Sequence, residues 1–275
     1  MHDTRSETPS TGFAYLDEAL TPPGPPLAMA HRGGGKHPDV VGLENTMAAF
    51  RHAVGLGYRY LETDVHATSD GVLVVNHDAS LNRVAKLPGR IVEMTAKEVA
   101  GAKIAGRELV PTMADLLEEF PDCRFNIDIK APAAVEPLAA LVAATGAHER
   151  VCVGAFDLSR IEWFRRLTGG RVATSASKTE AIRFLSMRDR ERARAYARGR
   201  FAVLQLPRVR GPIPVVTDSV VRRAHGSGVQ VHAWTVDRPR HMRTMIDRGV
   251  DGIFTDRTDL LKDVLRERGL WREHG

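Results

Sequence analysis

From residue 27 onward, short apolar runs alternate with longer segments in which apolar residues recur every three or four positions. The runs predict β-strands and the longer segments predict helices, because side chains repeat every two residues in a strand and about every 3.6 in a helix. The predicted strands are Leu27–His31, Tyr60–Val65, Arg124–Ile129, Val151–Ala155, Arg171–Ser175, Phe201–Leu206, Gln230–Thr235 and Asp251–Thr255. The predicted helices are Glu44–Leu56, Thr112–Phe120, Val135–Ala144, Ser159–Leu167, Thr179–Tyr196, Asp218–His225, Arg238–Arg248 and Asp259–Arg268.

Eight strands interleaved with helices predict an α/β fold, a single-domain (β/α)8 TIM barrel over residues 27–275. An open, doubly wound sheet is the alternative. The barrel is preferred because polar residues follow several strands along the whole chain, and a barrel brings all those strand ends into one mouth. A short extra strand, Val72–Asn76, is expected to form a hairpin with the second strand. Residues 1–26 are polar and end in a proline-rich stretch, which predicts an N-terminal tail.

Composition narrows the choice of partners and compartment. The net charge of the 275 residues is only +5, and the densest basic stretch, Arg183–Arg200, also contains acids, so we interpret it as a solvated helix face and expect no nucleic-acid partner. Cys123 and Cys152 lie beside or within apolar runs, which predicts free thiols and a cytoplasmic location. No apolar run approaches the roughly 18 residues of a membrane span, so no stable membrane insertion is expected. The oligomeric state is left open.

Three acids at strand ends predict a metal site. Glu62 and Asp64 are two residues apart on one predicted strand, so both point to the same face. Asp128 occupies a similar position on the next strand. Two neighbouring carboxylates repel each other unless a cation lies between them, and an all-oxygen donor set suits Mg²⁺ or Ca²⁺, with Mn²⁺ as a further option. We therefore expect one divalent metal ion held by these three residues.

Two histidines flank this trio in the sequence and predict proton transfer. His31 and His77 each follow an apolar run, and each is followed by a charged residue. One histidine can remove a proton from an attacking oxygen while the other protonates the leaving alkoxide. Arg32 and Lys130 are the candidate cations for binding a phosphate, where they would stabilise charge developing in the transition state. Together these groups suit metal-assisted cleavage of a phosphate ester.

Other residues have less certain roles. Glu44 precedes a predicted helix and either caps it or hydrogen-bonds Arg32 or a substrate hydroxyl. Trp234 either forms an apolar wall for the alcohol part of a substrate or packs in the barrel core. His232 lies on the same strand face as Trp234 and could border the mouth. Asp256, after the last strand, has three open roles: a helix cap, a partner of a clamping cation, or a support for the metal site.

At these residues the chain strongly resembles the glycerophosphodiester phosphodiesterase family. The matching segments are Ala30–Gly33, Leu43–Thr46 with Phe50, Leu61–Val65, Thr68–Gly71, Val75–Asp78 with Leu81 and Arg83, Pro111–Thr112, Asn126–Lys130, Trp234–Val236 and Asp251–Asp256. The resemblance implies a TIM barrel that hydrolyses a small-molecule glycerophosphodiester to an alcohol and sn-glycerol 3-phosphate in lipid metabolism. It also implies metal ligation by Glu62, Asp64 and Asp128, acid–base catalysis by His31 and His77, and phosphate binding by Arg32 and Lys130.

One position departs from the family pattern, which usually has glutamate where this chain has Asp128. The shorter side chain is expected to shift the metal, add a bridging water or change the affinity. The segment between Asp78 and Asp128 is compact, so a short substrate lid is expected. Two alternatives to hydrolysis remain: a phospholipase D-like lyase that produces a cyclic phosphate from lysophospholipids, and a barrel that binds phosphate esters without turning them over.

Overall fold

The computed structural model describes residues 8–17 and 26–272. Within these ranges the strands are β1 (Leu27–His31), β2 (Tyr60–Ala67), β3 (Leu73–Val75), β4 (Lys103–Ile104), β5 (Glu108–Leu109), β6 (Arg124–Ile129), β7 (Val151–Gly154), β8 (Ala173–Thr174), β9 (Val203–Pro207), β10 (Val209–Arg210), β11 (Ile213–Pro214), β12 (Gln230–Trp234) and β13 (Gly252–Thr255). The α-helices are α1 (Ala14–Asp17), α2 (Met47–Gly55), α3 (Asn82–Ala85), α4 (Ala96–Ala100), α5 (Met113–Glu119), α6 (Val135–Ala144), α7 (Leu158–Leu167), α8 (Lys178–Ser186), α9 (Arg190–Ala197), α10 (Asp218–Gly226), α11 (Pro239–Asp247) and α12 (Thr258–Glu267). The 3₁₀ turns are Pro38–Val40, Ile91–Glu93, Pro132–Ala134 and Ala147–Glu149.

Eight parallel strands form the main sheet in the order β8-β7-β6-β2-β1-β13-β12-β9. Its two edges come together through a parallel bridge between Ser175 and Val203. The sheet is therefore a nearly closed barrel, as the alternation of strands and helices predicts, and the open-sheet alternative is wrong. In the register of β2 and β6, Asp64 lies directly opposite Asp128. Barrel closure thus places the carboxyl ends of all eight strands around one mouth.

Local signals set where several helices begin. Thr46 caps α2 by accepting a hydrogen bond from the Ala49 amide, which places Glu44 in the preceding loop. The predicted helix Thr179–Tyr196 is two helices in the structure, because α8 ends at Ser186 and Asp189 caps α9. Strand and helix boundaries otherwise lie within a few residues of the predicted ones.

Alternating side chains divide each strand between two environments. Residues such as Leu61, Val65 and Ile127 face outward and are fully buried beneath the helices. Neighbouring residues such as Glu62 and Asn126 face into the barrel and are also buried, so the interior contains polar groups as well as apolar ones. Only the layer beneath the helices is continuously apolar, and its burial provides most of the favourable free energy of folding.

The end of the barrel opposite the mouth is covered by part of the predicted tail. Tyr15 and Leu16 of α1 are buried in a cluster with Cys152 and Val203. The Tyr60 hydroxyl donates a hydrogen bond to the Tyr15 carbonyl at 2.9 Å. Residues 8–17 therefore contribute to the core, whereas residues 18–25, including most of the proline-rich stretch, lie outside the described residues.

The predicted hairpin forms, with β3 antiparallel to β2. It is followed by a segment, residues 79–111, that includes α3, α4 and the β4–β5 hairpin. This segment has a small apolar core of its own, made by Leu81, Ile91, Val99 and Ile104. Across the described ranges, no helix has the length and apolarity needed to cross a membrane.

Candidate active site

The mouth of the barrel contains the acids that the sequence predicts as metal ligands. Glu62 and Asp64 point inward from β2 and are 5% and 2% exposed, and Asp128 points inward from β6 beside them. Lys130 follows on the same face of the β6 chain. Its Nζ lies 2.9 Å from Asp64 Oδ1 and 2.7 Å from Asp128 Oδ2. The ammonium therefore links the two aspartates and partly neutralises them.

Arg32 approaches the same acids from the end of β1. Its Nε lies 3.3 Å from Asp64 Oδ2, and its backbone amide donates a 3.0 Å hydrogen bond to Glu62 Oε2. Arg32 adopts a left-handed backbone conformation with φ of 51°, which non-glycine residues rarely do. The unusual turn lets one residue offer both its amide and its guanidinium to the acids, and such conformations concentrate at functional sites.

Burial and neighbouring charges separate the pKa values of the three acids. Burial, reinforced by the negative charge of Asp64, raises the pKa of Glu62 to about 7. Burial also acts to raise the pKa of Asp64, but Lys130 and Arg32 outweigh it, so this pKa is lowered. Burial raises the pKa of Asp128 despite the opposing effect of Lys130. Burial thus disfavours the charged forms of Glu62 and Asp128, and a bound cation would offset this by favouring them.

His31 has a fixed orientation at the end of β1. Its Nδ1 lies 2.6 Å from Asp256 Oδ1, and its Nε2 lies 3.8 Å from Glu62 Oε2. Burial acts to lower the pKa of His31, but the carboxylates of Glu62 and Asp256 outweigh it and raise the pKa. Asp256 also bonds Lys36 Nζ at 2.6 Å. Asp256 therefore pairs with Lys36 and orients His31, and the described structure shows no bond from it to the predicted clamping cations, Arg32 and Lys130.

His77, which follows β3 beside β2, is held in a similar way. Its Nδ1 lies 2.7 Å from Asp78 Oδ1, and Asp78 Oδ2 accepts a hydrogen bond from Arg83 Nε. Arg83 also donates to Glu44 Oε1 at 2.6 Å, and Arg32 donates to the same oxygen at 3.2 Å. Glu44 therefore bonds Arg32, one of its two predicted roles, and joins the surroundings of both histidines in one network.

The ends of β7, β9 and β12 contribute neutral side chains to the mouth. Trp234 of β12 packs edge-to-face with Phe156, whose side chain is 55% exposed, at a ring separation of 5.9 Å. Deeper in the barrel, Gln205 donates a 2.6 Å hydrogen bond to Asn126. A methyl group on Gly154 would lie 2.9 Å from Ser175 Oγ and 3.8 Å from Asp128 Oδ1, so this position has no room for a side chain. Trp234 is partly exposed and also packs against a buried cluster that includes Leu27 and Phe254.

His232 belongs to the barrel core. Its side chain is fully buried and packs on Phe254 at a ring separation of 6.0 Å, and burial lowers its pKa to about 4. Neither ring nitrogen has a hydrogen-bond partner in the described structure. His232 is therefore neutral at physiological pH and lies below the mouth.

The structure brings all nine predicted site residues to the mouth, but the acids are less tightly grouped than a closed metal cage. In the described part of the chain, only one group of three ligand-type residues has atoms within 4.8 Å of one another, and it lies elsewhere, at His37, Asp39 and His52. Lys130 lies between Asp64 and Asp128. Asp128, with its shorter side chain, is thus bonded to a cation of the protein itself.

Sequence reasoning missed the groups that orient the histidines. The sequence indicates Asp78 and Arg83 only as parts of a family motif, and it gives no signal for Lys36. A charged residue directly after a histidine was the available signal for Asp78. The pairing of His31 with Asp256 joins residues 225 positions apart and had no local signal.

Comparisons with known proteins agree with this geometry. Residues 31–260 match the model of the glycerophosphoryl diester phosphodiesterase family. The chain is 44% identical over 248 residues to a protein named probable glycerophosphodiester phosphodiesterase 2 from Mycobacterium tuberculosis, covering 89% of this chain and 92% of that protein. It is 30% identical over 258 residues to a glycerophosphodiester phosphodiesterase from Caldanaerobacter subterraneus, covering 88% and 99%.

Among solved structures, a putative glycerophosphoryl diester phosphodiesterase from Silicibacter pomeroyi superposes with a TM-score of 0.78 at 23% identity, covering 95% of this chain and all of that one. An Oleispira antarctica phosphodiesterase, solved in complex with the product sn-glycerol-3-phosphate, superposes with a TM-score of 0.71 at 20% identity, covering 88% and 97%. These two likenesses support the barrel fold. The family match and the sequence relatives together show that the chain belongs to the glycerophosphoryl diester phosphodiesterase family, whose enzymes hydrolyse glycerophosphodiesters.

Proposed function

We propose that this protein hydrolyses small glycerophosphodiesters to an alcohol and sn-glycerol 3-phosphate, with His31 and His77 as the acid–base pair. One observation supports this most directly. Both histidines have a carboxylate on Nδ1, and both lie at the mouth that contains Glu62, Asp64 and Asp128. Family membership gives the reaction class, and this arrangement supports the roles of the residues.

The carboxylates on Nδ1 determine which nitrogen of each histidine reacts. A carboxylate accepts the Nδ1 proton, so Nε2 carries the lone pair of the neutral ring and the exchangeable proton of the charged one. His31 Nε2 lies on the Glu62 side of its ring. In this proposal one Nε2 takes a proton from the attacking water, and the other gives a proton to the departing alkoxide.

The phosphate is bound by the cations of the mouth. Arg32 and Lys130 are already held by Asp64, so they need little rearrangement to stabilise the charge that develops on the phosphoryl oxygens. Glu44 holds Arg32 and Arg83 in position. Trp234 and Phe156 offer the apolar surface against which the carbon chain of glycerol or of the alcohol packs.

The donor set fits a divalent metal ion. Glu62, Asp64 and Asp128 offer only oxygen atoms, which Mg²⁺, Ca²⁺ and Mn²⁺ prefer, and burial together with the charge of Asp64 raises the pKa of Glu62. These three residues would hold the ion. When bound, such an ion polarises a phosphoryl oxygen and offsets charge in the transition state. Lys130 and Arg32 then compete with it for Asp64, which makes the affinity sensitive to both.

Product analysis with metal control tests this function. Chelator-stripped protein should not hydrolyse glycerophosphocholine, glycerophosphoethanolamine or glycerophosphoglycerol, and Mg²⁺, Ca²⁺ or Mn²⁺ should restore release of sn-glycerol 3-phosphate. A cyclic phosphate as the first product would instead identify a lyase. Binding of the diester without turnover under all metal conditions would identify a non-catalytic barrel. Full activity after rigorous metal removal would reject the metal assignment.

A further inference from the structure

A second group of ligand-type side chains lies outside the mouth, where the segment after β1 meets α2. His37 precedes the 3₁₀ turn Pro38–Val40, Asp39 lies within that turn, and His52 lies on α2. One ligand atom from each of these residues lies within 4.8 Å of the other two. Nothing in the proposed phosphodiesterase mechanism uses these three residues.

The geometry of this group resembles an open metal site. Asp39 Oδ2 lies 3.9 Å from His37 Nδ1 and 4.0 Å from His52 Nε2. The two imidazole rings lie with their centroids 4.2 Å apart and their planes tilted by 55°. His52 Nε2 is buried and has no hydrogen-bond partner within the described residues, which is unfavourable for a polar atom unless a ligand or water reaches it.

Only small movements would complete the site. Ligand atoms around a tetrahedral Zn²⁺ lie roughly 3.3 Å apart, given metal–ligand bonds of about 2.0–2.1 Å. The side chain of Asp39 is 73% exposed, so it can rotate toward the two rings and also provides access from solvent. His37 Nδ1 now accepts a hydrogen bond from the Asp39 amide at 3.1 Å, and metal binding through this nitrogen would replace that bond.

We propose that His37, Asp39 and His52 bind a transition-metal cation of the Zn²⁺ class, with water completing the coordination. Two imidazole nitrogens and one carboxylate suit Zn²⁺ and Co²⁺, whereas the all-oxygen acids of the mouth suit Mg²⁺ or Ca²⁺. The cation would join the turn after β1 to α2. That turn directly follows Lys36, which bonds Asp256 and Asp237, so the bound cation would stiffen one wall of the mouth.

The test uses Zn²⁺ and Co²⁺ on chelator-stripped full-length protein in excess Mg²⁺, which occupies the acids of the mouth. Calorimetry should detect one Zn²⁺ equivalent, thermal unfolding should shift upward, and Co²⁺ should give the visible absorption of a nitrogen- and oxygen-liganded site. His52→Gln should weaken Zn²⁺ binding at least tenfold, as loss of a group supporting a metal typically does. His148→Gln, at another partly exposed histidine, should change none of these readouts.

Asp39→Asn provides a second variant if His52→Gln folds poorly, because Asp39 is exposed and asparagine has nearly the same shape as aspartate. It should also weaken Zn²⁺ binding. Equal Zn²⁺ affinity and stoichiometry in wild type, His52→Gln and Asp39→Asn would overturn the proposal, as would the absence of Zn²⁺ binding in the wild type. Neither result would affect the proposed phosphodiesterase activity, which is measured separately with Mg²⁺.

Discussion

The two halves of the barrel mouth differ sharply in chemistry. The half formed by β1, β2 and β6 has a close group of charged side chains: acids, two cations and His31, with buried carboxylates bonded to Lys130 and Arg32. The half formed by β7, β9 and β12 presents Gly154, Gln205 and Trp234, with Phe156 exposed above them. The same barrel geometry therefore supports two different surfaces.

The difference separates the parts of a phosphodiester by their chemistry. Fixed charges stabilise a developing phosphoryl charge best in a site with little water, so they belong beside the reacting phosphorus. A neutral aromatic surface makes mainly non-directional apolar contacts with the alcohol, so it discriminates only weakly between different alcohols. We therefore expect changes in the charged half to affect the rate constant and changes in the neutral half to affect binding.

The largest effect is expected from the histidines of the charged half. His31→Ala and His77→Ala should each lower kcat by roughly 10²–10⁴-fold, the usual contribution of general acid–base catalysis. A diester with an activated leaving group such as p-nitrophenol should restore activity in the variant that lacks the general acid, and not in the other. Near-wild-type kcat of either variant on a poor leaving group would remove that residue from the mechanism. His148→Ala is the control.

Asp256, which holds His31 in place, also affects the free energy of unfolding. Burial acts to raise its pKa, but the hydrogen bond with His31 outweighs this and lowers it from 3.8 to about 2. A carboxylate with a lowered pKa stabilises the fold by about 2 kcal/mol above the unfolded pKa, and this is lost as the pH falls through the folded value. Asp256→Asn should thus lower the free energy of unfolding at pH 7. In urea titrations, the difference in the free energy of unfolding between wild type and variant should become smaller below pH 4. A difference in the free energy of unfolding that does not change with pH would instead indicate that the variant has lost packing contacts.

Asp128 tests how far the charged half depends on the acid that is shorter than the glutamate usual in the family. Asp128→Asn should raise the metal concentration for half-maximal activity at least about tenfold, because it removes a charge from the site. Asp128→Glu should be tolerated, since the family usually has glutamate there. Asp122→Asn makes the same charge change at an exposed position two residues before β6 and should have no effect. An inactive Asp128→Glu would show that the site requires the shorter side chain.

The smallest effect is expected in the neutral half. Trp234→Leu should raise KM about fivefold, the equivalent of the roughly 1 kcal/mol that an aromatic contact contributes, and leave kcat nearly unchanged. Steady-state kinetics on two diesters whose alcohols differ in size would measure this change in KM. A loss of kcat comparable to that of the histidine variants would break the division between the halves.

Sequence patterns predicted the barrel and its charged half because both depend on local periodicity. The alternation in Leu61–Val65 placed Glu62 and Asp64 on one face, and the matching pattern on β6 placed Asp128 beside them. The pairing of His31 with Asp256 depends on closure between the first and last strands, which no local pattern encodes. Similarly, the sequence does not predict α1, because a helix of four residues is too short to show a periodic pattern.

The two-residue period of β2 also has a consequence for how this protein can change over evolutionary time. Inserting or deleting one residue between Tyr60 and Glu62 would turn both acids toward the helices and bring Thr63 into the mouth, because a one-residue slip moves every side chain to the opposite face. The hairpin of β10 and β11, after β9, has no such constraint, because its residues are mostly exposed. Length variation among relatives should therefore accumulate at that hairpin, while the length of β2 stays fixed.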